Sequence, residues 1–392
     1  MGTPYATIEY FAILIVLLLP IIIAGLMGKR LPIYNAFITL VFIYFMFSED
    51  QIQAYAFIGF VFWQLALVRL YFNYRQKHNH GGIFVLAVIL AILPLFLVKV
   101  QPLLSDHTSL FGFLGISYLT FKAVQMVMEI RDRLIREYNA WDYLNFLIFF
   151  PTLSSGPIDR FRRFKKDSEA PLDREKYLAM LNRGIFLIFL GFLYKFIIAY
   201  LIQNHIINPL ELTFVRNSYL FEKLLIYMYS YSMYLFFDFA GYSAFAVGVS
   251  YIMGIQTPMN FNKPFASRNI KEFWNRWHMT LSFWFRDYIF MRLVFWLTKK
   301  KWIKNKYTVS YIGYAVNFLI MGAWHGLYWY YIVYGLYQAV LFIGFDLFER
   351  WNKKHKIYPK NKVTYVIGVV ITFHFVCFGF LIFSGILDRI NF

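Results

Sequence analysis

Long apolar runs, most of them closed by a cluster of charged residues, make up the greater part of this 392-residue sequence. The first spans Ile8 to Leu26 and the last spans Val363 to Ile386. About 20 apolar residues suffice for a helix to cross a bilayer. A helix satisfies its own backbone hydrogen bonds in lipid, where no water can do so. The runs therefore predict an all-α, polytopic membrane protein.

Shorter apolar pieces lie between the long runs. The piece Tyr143–Phe150, which Pro151 and Gly156 follow, is too short to cross. Irregular backbone at membrane depth is tolerated only where it is buried in protein or lines a water-filled cavity. With about 20 residues per crossing, we predict roughly ten or eleven transmembrane helices, with broken or re-entrant helices around a central cavity. We expect a single membrane-embedded domain over residues 1–392.

The charge distribution indicates orientation rather than a nucleic-acid partner. Basic residues exceed acidic ones by 39 to 21, which gives a formal net charge of +18. Most of them stand in short segments between the apolar runs, as in the cytoplasmic loops of membrane proteins. We therefore expect contact with membrane lipid and no nucleic acid. The alternation of basic and neutral run ends predicts a cell-membrane protein with its N-terminus outside and with residues 160–166 and 299–306 in the cytoplasm.

One polar stretch stands out in this apolar background. Read as a single helix over Lys271–Asp287, it places five polar residues three or four positions apart on one face. Because the surrounding chain is so apolar, we expect this face to point inward and to line a cavity, with Asn275 and Ser282 beside His278. The alternative is that His278 is a structural histidine. The residues of the stripe are Lys271, Asn275, His278, Ser282 and Arg286.

A second histidine, His325, lies in another apolar region between Gly322, Ala323 and Gly326. Ionisable groups at membrane depth are costly, and they mark functional sites by default. The small neighbours would let a ligand or another backbone approach closely. The alternative is a histidine that bonds a neighbouring carbonyl. His374, which has no polar company in the last run, favours the structural interpretation.

Other polar groups carry two interpretations each. Asp238 is either a proton-relay carboxylate or the buried partner of an arginine, and Asp287 is expected to pair with Arg286. The tyrosines from Tyr227 to Tyr234 either line a polar cavity or pack at the membrane interface. The remaining histidines lie in polar segments and are expected to be solvated: His78, His80, His107, His205 and His355.

Acyl transfer is a reaction that suits a histidine at membrane depth. A base must take the proton of the hydroxyl acceptor, and a dry site limits hydrolysis of the donor. A neutral imidazole supplies the base near pH 7. No serine or cysteine nucleophile with an adjacent base is evident, which favours direct transfer. The single cysteine, Cys377, and the absence of a metal-ligand motif such as H-E-x-x-H argue against a disulfide or a metal site.

Several motifs now resemble the membrane-bound O-acyltransferase family. Trp274–His278, Ser282–Asp287 and Met321–Gly326 carry this resemblance. Three further segments narrow it to the members that transfer D-alanine in teichoic acid synthesis, namely Phe150–Arg160, Leu235–Gly241 and Asn262–Phe265. The matching segments extend from about residue 150 to residue 326, and the pattern of apolar runs fits the family over nearly the whole chain.

The resemblance implies a membrane-bound acyltransferase with roles for both histidines. His325 matches the family's intramembrane histidine, the presumed general base, and His278 occupies the second polar position. The similar proteins take D-alanine from a small carrier protein, which holds it as a thioester on a phosphopantetheine arm. No cofactor bound to the chain itself is implied. The D-alanyl group ends on lipoteichoic acid, with other membrane proteins of the D-alanylation pathway as partners.

Two rival functions remain at this point. Another O-acyltransferase, acting on a lipid or a polysaccharide, would share both histidines. A transporter would use the histidines as a proton relay.

The carrier would need a docking surface that is both basic and apolar, because such carriers resemble small acidic bundles. The segment Phe290–Leu297, which five lysines follow, offers both properties, with Val294 as the apolar centre and Lys300 and Lys301 at its rim. It also follows directly on the His278 stretch. The alternative is that these lysines only determine topology and bind anionic lipid.

Overall fold

The computed structural model describes residues 4–104, 111–214, 219–359 and 361–390. The regular structure in these ranges is helical throughout, without a strand, which confirms the predicted all-α class. The chain divides into two compact units. Unit 1 comprises Met1–Gly191 and Tyr242–Pro258, and unit 2 comprises Phe192–Gly241 and Met259–Phe392. The single domain over residues 1–392 stays a prediction.

Unit 1 contains the first eight helices and the last part of α11. A short 3₁₀ turn, Phe150–Thr152, follows its sixth helix. The helices are α1 (Ile8–Leu26), α2 (Pro32–Phe47), α3 (Gln51–Lys77), α4 (Gly81–Leu104), α5 (Ile116–Arg131), α6 (Ala140–Ile148), α7 (Phe161–Glu169) and α8 (Arg174–Phe192).

Unit 2 contains the remaining helices, several of them short. Two π-helical segments, Leu193–Ala199 and Gln203–Ile207, continue from α8 toward α10, and another covers Arg286–Phe290. The helices are α9 (Tyr200–Ile202), α10 (Asn208–Glu211), α11 (Leu220–Ile252), α12 (Ile270–Trp274), α13 (Met279–Phe285), α14 (Met291–Lys300), α15 (Lys306–His325), α16 (Trp329–His355), α17 (Lys362–Phe383) and α18 (Ile386–Arg389).

Side-chain caps explain where several of these helices begin. The Tyr10 N–H donates to Thr7 Oγ1 at 3.3 Å at the start of α1, and the Gln53 N–H donates to Asp50 Oδ1 at 3.0 Å at the start of α3. Each cap gives a partner to a backbone donor that has none within its helix. The sequence thus places polar residues at the turns where apolar runs begin.

Seven helical segments in the described residues are long and apolar enough to span a membrane, and Pro32–Phe47 is a shorter apolar helix. This confirms a polytopic membrane protein. A total of ten or eleven crossings and a central cavity stay predictions. The seven are Ile8–Leu26, Gln51–Lys77, Gly81–Leu104, Arg174–Glu211, Leu220–Ile252, Trp329–His355 and Lys362–Phe383.

The core of unit 1 is built around α5, which is buried along almost its whole length. Its Lys122 is 1% exposed and serves the broken element that follows α6. The Lys122 ammonium donates to the carbonyl oxygens of Phe146 and Leu147 at 3.0 and 3.2 Å, and to Thr152 Oγ1 at 3.1 Å. It thereby satisfies carbonyls that the end of a nine-residue helix leaves without helical partners. The short predicted piece Tyr143–Phe150 is accordingly a buried helix that ends in a break.

The core of unit 2 includes the tyrosine-rich part of α11. Tyr227 is 3% exposed, stacks on Tyr231 with ring centroids 5.6 Å apart, and donates to Glu211 Oε1 at 3.2 Å. Cys377 is buried in the same cluster. Tyr227 and Tyr231 therefore pack in the core of unit 2, and both interpretations of the tyrosine run stay predictions.

Candidate active site

The polar stretch around His278 is two short helices joined by a turn, so the predicted single helix over Lys271–Asp287 is wrong. Helix α12 ends at Trp274, and α13 begins at Met279. His278 between them adopts φ 40° and ψ 51°, a left-handed conformation that a right-handed helix cannot contain. Bonds to a preceding loop hold the turn: the Met279 N–H donates to the Asn260 carbonyl at 2.8 Å. This tertiary pairing overrides the local helical periodicity.

The break disperses the predicted polar stripe. Lys271 forms ion pairs with Asp346 at 2.9 Å and Glu349 at 2.7 Å, while Asn275 is exposed. The expectation that all five residues share one inward face is therefore also wrong.

The other two members of the stripe differ again. Half-buried Ser282 uses its hydroxyl to bond the Trp277 carbonyl at 3.1 Å. Arg286 pairs with Asp287 at 2.9 Å, as expected, and the side chains of both are largely exposed. Ser282 therefore stabilises the turn next to His278. That Asn275 and Ser282 line a cavity stays a prediction.

His278 itself is buried, with 5% of its surface exposed. Among the described residues, its Nε2 has no hydrogen-bond partner, and the same holds for Nδ2 of the fully buried Asn260. The Thr280 hydroxyl donates to Asn260 Oδ1 at 2.6 Å, and both residues are buried. Buried polar atoms usually have partners. Each of the two nitrogens is therefore a polar atom to which a bound molecule could form a hydrogen bond.

His325 is the last residue of α15 and is half-buried. Three aromatic rings surround its imidazole: Trp324 at 4.5 Å, Phe383 at 4.8 Å and Tyr331 at 5.9 Å between ring centroids. The His325 and His278 imidazoles are close enough for a charge on one to act on the other. The structure thus brings the two sequence-predicted histidines together, one buried and one accessible.

Close packing of α15 on α16 explains the small residues beside His325. A methyl group on Gly322 would lie 2.4 Å from the Tyr331 carbonyl, and one on Gly335 would lie 2.4 Å from the Phe318 carbonyl. Real Cβ atoms do not approach so closely, so both positions require glycine. Of the two possibilities left open by the sequence, another backbone is what approaches Gly322. This contact sets the position of His325 one turn later.

Helix α16 also anchors the other half of the site. The Trp274 indole donates to the buried side chain of Gln338 at 3.1 Å, and the ion pair between Lys271 and Asp346 lies farther along the same helix. Helix α12, which leads into the His278 turn, is therefore held against the helix that packs on His325. Sequence reasoning missed Gln338 and Asn260. Gln338 could have been found from the sequence, because it is a polar residue inside a long apolar run.

Asp238 has a partner other than the one expected. Its carboxylate bonds the Lys195 ammonium, so the expected arginine partner is wrong. Both residues lie near the middle of candidate spans, where an ion pair reduces the cost of each charge. Lys195 lies in the π-helical segment Leu193–Ala199.

The structure describes five of the six remaining histidines. His374 bonds the Val370 carbonyl of its own helix at 2.7 Å. Four of the five histidines that were expected to be solvated are exposed, and His107 lies outside the described residues. These four are His78, His80, His205 and His355.

The segment predicted to dock a carrier forms α14. Val294 is half-buried and faces α15, since a methyl group on Gly313 would lie 2.8 Å from its Cγ2. Phe295 is 69% exposed, and Lys300 and Lys301 are exposed at the end of the helix. Met291 and Trp296 are also exposed, so the most exposed large apolar residue of this segment is Phe295, one residue beyond the predicted Val294. Docking of a carrier here stays a prediction.

Comparison with known proteins gives one family. The model of the membrane-bound O-acyltransferase family matches residues 36–387. A teichoic acid D-alanyltransferase of Bacillus subtilis (strain 168) is 56% identical over 390 residues, which cover 98% of both chains. A protein of the same name from Lacticaseibacillus rhamnosus is 48% identical over 99% of this chain and 98% of its own. A peptidoglycan O-acetyltransferase of Helicobacter pylori is 29% identical over 62% of this chain and 44% of its own.

The family model covers both structural units, and the two D-alanyltransferases match almost end to end. The resemblance seen in the sequence motifs is thereby confirmed, and the chain is an acyltransferase of the membrane. The chain belongs to the membrane-bound O-acyltransferase family.

Proposed function

We propose that the chain transfers D-alanine from a thioester on the phosphopantetheine arm of a carrier protein to a hydroxyl on the pathway to D-alanylated lipoteichoic acid. The observation that carries the proposal is an accessible His325 within electrostatic reach of buried His278, in a family of O-acyltransferases. The choice of D-alanine as the acyl group rests on the relatives with 56% and 48% identity, which are both named teichoic acid D-alanyltransferases.

The chemistry requires one base and no enzyme-bound intermediate. His325 takes the proton of the acceptor hydroxyl as its oxygen attacks the thioester carbonyl carbon. The C–S bond then breaks, and the imidazolium returns the proton to the leaving thiolate, so the histidine ends as it began. A half-buried imidazole at the end of α15 is accessible to both reactants.

His278 occupies a different position and takes a different role. Its buried Nε2, together with Nδ2 of Asn260, provides polar atoms at the edge of the site that are without partners among the described residues. A substrate carbonyl or hydroxyl bonded there would be fixed relative to His325, and positioning of this kind accelerates a two-reactant step. The Phe239 ring next to His278 helps to exclude water, which would compete with the acceptor.

The partners follow from the same proposal. The carrier delivers the donor from the cytoplasm, where residues 160–166 and 299–306 lie if the N-terminus is outside. Other membrane proteins of the D-alanylation pathway take the product onward. The phosphopantetheine arm belongs to the carrier.

The test is an assay of D-alanyl transfer in permeabilised membranes. The membranes come from cells in which the native gene is replaced by the gene for the chain or for one of its variants. Purified carrier loaded with radiolabelled D-alanine is then added. We expect His325→Ala to lower the rate by about 10²- to 10⁴-fold, the usual worth of a general base. His374→Ala is the matched control, because His374 lies in a span, donates or accepts its described hydrogen bond within its own helix, and otherwise contacts the rings of Tyr229 and Phe373.

Folding is checked by the elution of each detergent-purified variant in size-exclusion chromatography. A His325→Ala protein that elutes as wild type and transfers D-alanine at the wild-type rate would remove His325 from the mechanism. If wild-type membranes used an acetyl donor but not the D-alanyl carrier, the proposed D-alanyl donor would be wrong and an acetyl donor would take its place.

A further inference from the structure

If the proposed function holds, the acyl group that enters this site is charged. D-alanine keeps its amino group when it forms a thioester, and an α-amino group is largely protonated near neutral pH. An acetyl group is uncharged. The site must therefore stabilise an ammonium at the carbon next to the carbonyl that reacts, because burying a charge without a partner is costly.

The contacts described for the proposed base are with aromatic rings. Phe383 meets the His325 ring edge-on at 4.8 Å, and Tyr331 lies 5.1 Å from Phe383 between ring centroids. Tyr334 also contacts Phe383, with ring centroids 5.1 Å apart. These three rings come from two helices, α16 and α17, and form one cluster beside His325.

The cluster is accessible as well as aromatic. Tyr331 and Phe383 are half-buried, like His325, whereas Tyr334 is 3% exposed and supports them from behind. Tyr331 is held in place against the backbone, because a methyl group on Gly326 would lie 2.8 Å from its ring. Preorganised rings that are only partly buried can attract an ammonium ion to their negative π-surfaces, and this attraction is stronger in a desolvated site.

We propose that Tyr331 and Phe383 bind the α-ammonium of the D-alanyl group by cation–π contact and thereby select it over uncharged acyl groups. The acyl carbonyl would then face His325, which the same rings contact. Aromatic rings stabilise a positive charge without themselves contributing a carboxylate to the site. A carboxylate there would stabilise the imidazolium and slow the return of its proton to the leaving group.

The experiment compares two donors that differ only in the ammonium. One portion of carrier is loaded with D-alanine and the other with propionate, which has a hydrogen in place of the amino group. The two are mixed in equal amounts with permeabilised membranes, and the ratio of D-alanyl to propionyl transfer is measured. We expect the wild type to favour D-alanine and Phe383→Leu to lower the ratio on the order of 3- to 30-fold, as loss of one cation–π contact would.

Phe383→Tyr is the matched control, since it keeps the ring and should keep the ratio close to that of the wild type. Tyr331→Leu and its control Tyr331→Phe form a second pair. If Phe383→Leu does not fold, the ratio of D-alanyl to propionyl transfer in this second pair tests the proposal. A merely structural role would lower both transfers together and leave the ratio unchanged.

The outcomes separate this inference from the function on which it rests. An unchanged ratio in both leucine variants, with D-alanyl transfer retained, would overturn the cation–π site alone. Wild-type membranes that transfer propionate as readily as D-alanine would also overturn it. Wild-type membranes that transfer no D-alanine at all would overturn the proposed function, and the inference with it.

Discussion

The ring of Phe239 meets the ring of His278 edge-on, with centroids 4.7 Å apart and planes at 90°. This contact holds the imidazole in a turn whose backbone is itself unusual, because His278 has a φ of 40°. A left-handed residue with a side chain costs about 1–2 kcal/mol relative to the ordinary helical conformation. Glycine is free of that cost.

The left-handed turn allows the imidazole to be tested separately from the backbone. We expect His278→Gly to fold at least as stably as His278→Ala, because glycine relieves the turn. We expect both variants to lower D-alanyl transfer on the order of 10- to 100-fold, the effect of one lost hydrogen bond to the substrate. Thermal unfolding in detergent and transfer in membranes are measured on the same preparations. Wild-type transfer by His278→Gly would show that the position serves only the turn.

The glycines between α15 and α16 should be needed for stability. Gly322→Ala forces a methyl group against the Tyr331 carbonyl, so we expect a loss of about 1–3 kcal/mol, as in other overpacked sites. Gly344→Ala is the matched control, because it lies in α16 with open space around it. There alanine should stabilise the helix by about 0.5–1 kcal/mol. Opposite shifts of the unfolding temperature would support the packing, and equal shifts would contradict it.

Lys122 should matter for the break after α6. Lys122→Met removes the donor to two carbonyls and to the Thr152 hydroxyl in a buried region. We expect a loss on the order of 2–4 kcal/mol, since three buried hydrogen bonds are lost together and their acceptors are left without partners. The measurement is the unfolding temperature of detergent-purified protein. Lys77→Met, the same change at an exposed lysine, should leave that temperature within one or two degrees of wild type. Equal stability of the two variants would rule out this role.

Carrier docking on α14 should depend on Phe295 and the lysines in different ways. We expect Phe295→Asp to increase the dissociation rate of loaded carrier strongly, as for a central apolar anchor. Lys300→Glu with Lys301→Glu should mainly slow association and reduce its dependence on salt. Binding kinetics at two salt concentrations distinguish the two effects. Charge reversal at exposed Lys353 and Lys354 is the control. If both α14 variants bound the carrier with wild-type kinetics, the docking site would lie outside α14, and α7 would be the next candidate.

The orientation can be tested with single cysteines in a chain whose Cys377 is replaced by serine. Ser48 and Lys304 are both exposed, and neither has the left-handed backbone of Lys301. We expect Ser48→Cys to react with an impermeant maleimide on intact cells, and Lys304→Cys to react only after permeabilisation. If both cysteines reacted on intact cells, residues 299–306 would lie outside the cell, and the predicted cytoplasmic side for carrier docking would be wrong.

The sequence by itself was sufficient for the class of protein and for most of the long helices. Helix α1 has the predicted bounds, Ile8–Leu26, because an unbroken apolar run in lipid has only helical solutions available. The two histidines could also be found from the sequence, since polar groups at membrane depth are rare. The motifs around them were enough to indicate the family that the comparisons then confirmed.

The tertiary structure decided the geometry of the site. The sequence around His278 has helical spacing, yet backbone bonds to Asn260 and Asn262 turn it into two helices, and no local pattern reports bonds to a separate loop. The glycine beside His325 could have served a ligand or a backbone, and only the packing of α15 on α16 shows which. Local propensities are weak compared with burial and long-range hydrogen bonds. The positions of the two imidazoles therefore depend on contacts that are distant in sequence.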